Sequence, residues 1–314
     1  MSTRAVRQRL ARPGARHNRA GFWVLVFLAP TVLLYGAYTL YPTVASVWYS
    51  LLDWNGFDRA GTFSGLENYR DLFADELFWN SFKITLLFII ASVPIQLVSS
   101  LLIAMLLNSP KMPFSNLFRT ALFLPVVTTS AIVGVVMQFV FDPTAGPVNG
   151  LLRALGIVDQ GVAFLGSADT ALWTIVAVYV WKWFGITLIY WLAALQTIPA
   201  ELYEAARTDG ASAFQSLRHI TWPLLTKFAV VIALLTIEAS LHVFDLVLTM
   251  TNGGPFYATE VLEIFVYRWA FDSPVPRLGY ASAAAVAFGL FVAVIAALQL
   301  IGTRRSGTGQ GRGI

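Results

Sequence analysis

Residues 198–223 read IPAELYEAARTDGASAFQSLRHITWP, a polar stretch lying between two long apolar runs that begin near Ala171 and Leu224. Pro199 falls early in the first helical pattern, where its missing N–H removes no hydrogen bond. Leu202, Ala205 and Ala206 share one helical face, with Glu201, Glu204 and Arg207 on the polar side. Gly210 can take the left-handed conformation that ends a helix. Ser212 with Gln215 three residues on has the pattern of a capping box for a second short helix, which Pro223 closes. Two short amphipathic helices around a tight turn are expected, with small Ala side chains that let another surface approach closely.

The apolar runs on either side of this stretch set the class. Hydrophobic residues make up 57% of the chain and charged residues 12%, a balance too apolar for a water-soluble globule. Runs of about 20 mostly apolar residues, enough to cross a bilayer as a helix, begin near Phe22, Phe82, Leu117, Ala171, Leu224 and Tyr280. The expected fold is all-α and integral to the membrane, with six transmembrane helices. Residues 1–21 form a basic tail, 22–302 the six-helix bundle containing the 198–223 loop, and 303–314 a Gly-rich polar tail.

Cations and anions divide by side. Arg4, Arg7, Arg9, Arg12, Arg16 and Arg19 precede the first run, Lys111 and Arg119 flank the start of the third, and Arg304, Arg305 and Arg312 follow the last. On a six-span path these share a side, whereas Asp53, Asp58, Glu67, Asp71, Asp75, Glu76, Asp142, Asp159, Asp169, Glu260, Glu263 and Asp272 fall on the other. The positive-inside rule therefore predicts that both termini, and the 198–223 loop, are cytoplasmic. The same asymmetry accounts for the net charge of +4, so the basic tail reads as a topology signal rather than a nucleic-acid contact. The run from Phe22 to Tyr41 is long for a signal peptide and lacks a small-residue cleavage pattern, so it is expected to stay as an anchor.

Other features narrow the function. The chain has no cysteine and only three histidines, His17, His219 and His242, scattered so that no metal site is expected. Ser240 and His242 point to different helical faces, which argues against a nucleophile–base pair and predicts no catalytic residues. Pro94 and Pro125 should kink the second and third helices. Between residues 141 and 170, Pro143, Gly146, Pro147, Asn149 and Gly150 precede Leu151 to Leu155, predicting a turn and a short surface helix. Trp48, Trp54, Trp79 and Trp269 near helix ends are expected to form an interfacial belt.

The loop also resembles a known family. Glu204-Ala205-Ala206, three residues, Gly210, nine residues, Ile220 and Pro223 are similar to the EAA loop of permease subunits of ATP-binding-cassette importers, with Trp222 where leucine is usual. The likeness extends to Gly65-Leu66-Glu67-Asn68-Tyr69, Phe118-Arg119-Thr120, Phe123-Leu124-Pro125, residues 194–199, Phe244-Asp245, Leu248-Thr249 and Asn252-Gly253-Gly254-Pro255. Together these resemble the maltose-permease-like proteins of the carbohydrate-uptake branch. The resemblance implies a type I ABC importer permease fold with cytoplasmic EAA coupling helices, in a bacterial or archaeal cytoplasmic (inner) membrane. It implies a second homologous permease subunit, two cytoplasmic ATP-binding subunits that hold ATP and Mg, and an extracytoplasmic solute-binding protein. By the same resemblance, Glu204, Ala205, Ala206, Arg207, Asp209, Gly210, Ile220 and Pro223 would dock the ATPase. No G-x-x-x-x-G-K-[ST] phosphate loop occurs in the chain, so no bound cofactor is expected here and energy would come from the partners.

What passes through is less legible. Lys182, between Trp181 and Trp183, lies near the middle of the fourth run, where an unpaired cation costs about 2.5–3.5 kcal/mol on insertion scales. In the fifth run Glu238, His242, Asp245 and Thr249 are offset by four, seven and eleven residues, which puts them on one narrow face of a continuous helix. Two readings remain open: a cavity in which these groups hydrogen-bond a solute, or a salt bridge such as Lys182–Glu238 that locks two helices. A sugar, a polyol or a glycerophosphodiester would each fit the resemblance, the last favouring Lys182 and His242 as cation contacts. The competing classes are a secondary transporter, which would show an inverted repeat that is not apparent, and a channel subunit, which would need no docking loop.

Overall fold

The computed structural model describes residues 17–59, 61–109 and 112–307. Arg4, Arg7, Arg9, Arg12, Arg16, Lys111 and Arg312, with most of both expected tails, lie outside the described residues. The chain is helical nearly throughout. Helix α1 (His17–Tyr35), a π turn (Gly36–Leu40) and α2 (Tyr41–Tyr49) follow one another without a gap. Two short antiparallel strands, β1 (Leu52–Asp53) and β2 (Thr62–Phe63), pair Leu52 with Phe63 and Asp53 with Thr62. Then come α3 (Glu67–Ala74), α4 (Glu76–Leu107), α5 (Ser115–Val127), α6 (Ser130–Val140), α7 (Pro147–Ala154) and α8 (Ala168–Leu195). After α9 (Ala200–Thr208) and α10 (Ala213–Ser216), a π turn (Leu217–Thr221) leads into α11 (Trp222–Ser240). The chain ends with α12 (Phe244–Met250), α13 (Leu262–Tyr267), a π turn (Arg268–Asp272) and α14 (Leu278–Gly307).

Five stretches are long and apolar enough to cross a membrane: Trp23–Tyr49, α4, α8, Ala213–Ser240 and Leu278–Gln299. The sixth is broken. Helices α5 and α6 meet the same test together but are bent by 100°, so the kink expected at Pro125 is a full interruption three residues later. Thr128 and Thr129 are both extended, with ψ of 141° and 144°, and a backbone in that conformation cannot continue the helical ladder. Pro94 behaves differently, lying inside the uninterrupted 32-residue α4. The short helix expected after Pro147 is α7, with Pro147 in its first turn. Helix α14 continues past the last apolar span, Leu278–Gln299, to Gly307.

The bundle is organised around α4 and α8. Phe88, Ile175, Tyr179, Val247 and Met250 form one buried cluster, and Ala104, Leu188, Trp191, Leu195 and Leu225 another along the same helices. Polar side chains bridge the two helices: Gln96 Nε2 on α4 donates to Thr187 Oγ1 at 2.7 Å and to the Trp183 carbonyl at 3.1 Å on α8. In a medium without water such bonds add specificity to van der Waals packing. Caps begin the long helices, Asp75 accepting from the Leu77 amide at 2.8 Å and Ser167 from the Asp169 amide at 3.4 Å. The first span meets the bundle through α2 against α14, and Phe27, Leu33, Tyr38 and Tyr41 along it are exposed.

Of the tryptophans expected at an interface, Trp48 and Trp79 are exposed. Trp269 instead packs inward, its ring 5.2 Å from that of Tyr280. The N-terminal end of α14 is tied down by polar contacts. Tyr280 Oη donates to Asp75 Oδ2 at 2.6 Å and Arg277 pairs with Asp71 at 3.3 Å.

Helix α5 packs on α8 through Gly185, where an added Cβ would sit 2.5 Å from the Leu122 carbonyl oxygen and 2.6 Å from Phe123 Cα. Both neighbours are backbone and cannot turn aside. Gly185→Val should therefore separate the third and fourth spans at a cost of about 1–3 kcal/mol. The expected outcome is a lower melting temperature and less detergent-stable protein than with Gly289→Val, a position with open space around it; equal stability of the two variants would contradict this packing.

Candidate functional site

The loop after α8 is built by its own sequence. Pro199 occupies the N-cap of α9 with φ −59° and ψ 132°, one residue before the helix proper. At the other end Asp209 is the C-cap and Gly210 has φ +77°, so its N–H reaches the Arg207 carbonyl at 3.1 Å and Ala211 N–H reaches that of Ala206 at 2.9 Å. Only glycine takes that φ without strain. The expected capping box is present: the Gln215 amide donates to Ser212 Oγ at 3.3 Å and Ser212 N–H donates to Gln215 Oε1 at 2.7 Å.

The second helix does not stop at Pro223. Helix α10 is four residues long and passes through the π turn directly into α11, with Pro223 in the first turn of the latter. A proline there interrupts nothing, because the π turn's closing bond, Trp222 N–H to the Leu217 carbonyl, comes just before it. Nor is the expected apolar face of α9 uniformly covered. Ala206 is buried, whereas Leu202, Ala205, Glu204, Arg207, Asp209, Gly210 and Pro223 are exposed and Ile220 is half-buried. Tyr203 Oη lies 2.9 Å from Thr221 Oγ1, tying α9 to the foot of the fifth span. Between them and the ends of α4 and α8 lies a groove of about 690 Å³, lined by Asn108, Gln196, Tyr203, Glu204, Arg207 and Thr221 among others.

The second polar place lies where the fifth span ends. Helix α11 finishes at Ser240, so Glu238, His242, Asp245 and Thr249 are not on one continuous face: His242 sits in the break and Asp245 and Thr249 belong to α12. The break is held by a residue far along the chain. Glu263 on α13 accepts the Phe244 N–H at 2.7 Å through Oε2, and its Oε1 lies 3.3 Å from His242 Nδ1. His242 Nε2 is 3.6 Å from Glu238 Oε1. The carboxylate thus supplies an acceptor at the N-terminus of α12, where the first amides lack helical partners. Burial raises the Glu263 pKa above its usual value, against the opposing pull of His242 and the Phe244 and Val243 amides.

Glu263 belongs to this cluster with no sequence signal to mark it, being 21 residues from His242. Glu238 and His242 are 65% and 61% exposed on their side chains, and Asp245 is exposed, so in this single chain the polar groups face outward rather than being enclosed. Ser240 is buried and its hydroxyl donates to the Ile237 carbonyl at 2.7 Å, apart from the imidazole of His242. Among the described residues no group of three or more His, Cys, Asp or Glu side chains could hold a metal.

Lys182 is elsewhere. It is 1% exposed at the middle of α8, and its Nζ donates to the Thr128 carbonyl at 2.7 Å and the Pro125 carbonyl at 3.5 Å while lying 4.4 Å from the Trp183 ring centre. Of the two open readings, the Lys182–Glu238 ion pair does not form among the described residues, where Glu238 meets His242.

Comparison with known proteins agrees with this architecture. A probable ABC transporter permease, YurN of Bacillus subtilis, is 33% identical over 276 residues, 88% of this chain and 94% of that one. The lactose transport system permease LacF of Rhizobium radiobacter is 32% identical over 281 residues, 89% of this chain and 93% of its own. Among solved structures, a chain of a bacterial ABC transporter that imports the acidic polysaccharide alginate superposes with a TM-score of 0.80 at 22% identity, over 92% of this chain and 98% of that one. That likeness establishes the fold. Residues 85–306 match the model of the binding-protein-dependent transport system inner membrane component, and the chain belongs to that family of multi-pass inner-membrane permeases.

Proposed function

We propose that this chain forms half of the translocation pathway of an ATP-driven importer for a sugar or a related polyol or glycerophosphodiester. It pairs with a second homologous permease in the lipid bilayer, receives solute from an extracytoplasmic binding protein, and is driven by two cytoplasmic ATP-binding subunits that carry ATP and Mg. The chain itself catalyses nothing, and both termini lie in the cytoplasm.

The observation that carries this reading is the exposed turn of α9, where Glu204, Ala205, Arg207, Asp209 and Gly210 project from a helix braced at both ends. An amphipathic helix left open beside a rigid foot, Tyr203 on Thr221, is a surface for a partner groove. Ile220, half-buried at the base of the same unit, would pass movement of the loop into the fifth span. Several similar proteins bear sugar-related names: lactose for LacF, starch degradation products for AmyD of Thermoanaerobacterium thermosulfurigenes and diacetylchitobiose for NgcF of Streptomyces coelicolor. The pathway side chains are Glu238, His242 and Asp245, exposed on one chain and so available to a cavity shared with the second permease. Lys182 is left out, since its ammonium is already engaged and out of solvent reach.

The decisive experiment is to purify the tagged chain from its own membrane and measure ATP-dependent uptake in vesicles supplied with the binding protein. An ATP-hydrolysing subunit should co-purify. Uptake that runs without ATP, or a chain that works alone, would make it a secondary transporter or channel instead.

Two substitutions at the loop, Glu204→Lys and Gly210→Pro, should leave the chain inserted while lowering uptake per ATP hydrolysed by about 5–150-fold, the span of ordinary coupling energies. Uptake and hydrolysis are measured on the same vesicles. Glu238→Gln should weaken transport by about tenfold or more if its carboxylate bonds solute, the value of a charge-assisted hydrogen bond. Unchanged uptake across a panel of neutral and phosphorylated sugars would remove it from the pathway.

A further inference from the structure

A helix that stops inside a membrane leaves carbonyls without partners, and the end of α5 is such a place. The last turn before Val127 would normally be capped by the amides of the next turn, but Thr128 and Thr129 are extended and the chain leaves at 100°. Thr128 N–H returns to the Pro125 carbonyl at 3.3 Å, a long bond that occupies one lone pair. Lys182 adds a donor at this end, its Nζ donating to Thr128 O at 2.7 Å and to Pro125 O at 3.5 Å. A cation at a helix C-terminus also faces the negative end of the helix dipole. Trp183 lies over the ammonium at 4.4 Å, adding a cation–π contact where water is excluded.

We propose that Lys182 is a positioning residue, the clasp that holds the broken third span at its angle and makes that angle follow the fourth span. Lys182 and Gly185, three residues apart, share one face of α8 and both meet α5, Gly185 at the Leu122 and Phe123 backbone and Lys182 at the break. Helix α8 is continuous for 28 residues and leads after residues 196–199 into α9. Beyond the break, α6 packs on α12, which bears Asp245. A shift of α8 therefore moves the carbonyl-bound ammonium, and with it the hinge between α5 and α6 and the segment packed on α6. The placement of the clasp does not depend on which solute is carried or on what drives the cycle.

The test uses the full chain, purified with whatever subunits accompany it and held in lipid nanodiscs. Because the chain has no cysteine, spin labels can be placed by single substitutions on exposed sites. Leu117→Cys on α5 with Phe139→Cys on α6 reports the hinge, and Val98→Cys on α4 with Ile189→Cys on α8 is the control pair. Distances are read by pulsed electron resonance with Lys182, Lys182→Arg and Lys182→Met. The clasp predicts one narrow hinge distance for Lys182, its retention in Lys182→Arg, and its loss to a broad or shifted distribution in Lys182→Met, with the control distance unchanged in all three. An unaltered hinge in Lys182→Met would overturn the proposal. So would broadening of both pairs together, because that marks general loss of packing rather than release of one joint.

Discussion

Within the hydrocarbon of a bilayer a backbone carbonyl has no water to turn to, and each one must find a donor in the protein itself. That constraint makes the chain helical almost throughout and makes any interruption conspicuous. It is met in three ways here: by a continuous ladder in α8, by π turns that carry the chain past Pro42 and Pro223, and by a lysine side chain at the broken third span. The last is the least usual. A buried ammonium in the middle of a span is costly when alone, yet the same charge is well placed where the dipole of α5 ends.

The two polar regions differ in how their geometry is made. The loop from α9 to α11 is local in origin, its helix end, left-handed glycine and capping box all lying within a few residues of one another. The cluster of Glu238, His242 and Glu263 is assembled from two separate pieces of chain, the end of the fifth span with the break after it and α13, whose Glu263 receives the first amide of α12. Locally determined parts can act as rigid handles. Parts assembled at a distance change when the packing between their elements changes.

Most of the fold was legible because the signals were long or repeated. Apolar runs of span length located the five long helices and the bent α5–α6 pair, and Ser212 with Gln215 announced a cap that is present in both of its hydrogen bonds. The misreading has a single cause. Placing Glu238, His242, Asp245 and Thr249 on one face assumed that a helix continues wherever no proline or glycine stops it, and α11 ends at Ser240 without either. Beyond that end Glu263 accepts the first amide of α12, and its sequence position carries no hint of the contact. For Lys182 a cavity and a salt bridge were both open, and its hydrogen-bond partners are instead the carbonyls at the end of a broken helix.

By itself, then, the sequence determined the membrane class, the number of crossings, the capped loop and the absence of a phosphate-binding loop, since each depends on composition or on neighbours within about one helical turn. The tertiary structure alone decided that α5 and α6 meet at 100°, that Glu263 receives the first amide of α12, and which acceptors Lys182 serves. Those outcomes depend on which backbone groups lack partners after the helices have packed, and that is known only when segments distant in the chain have been brought together.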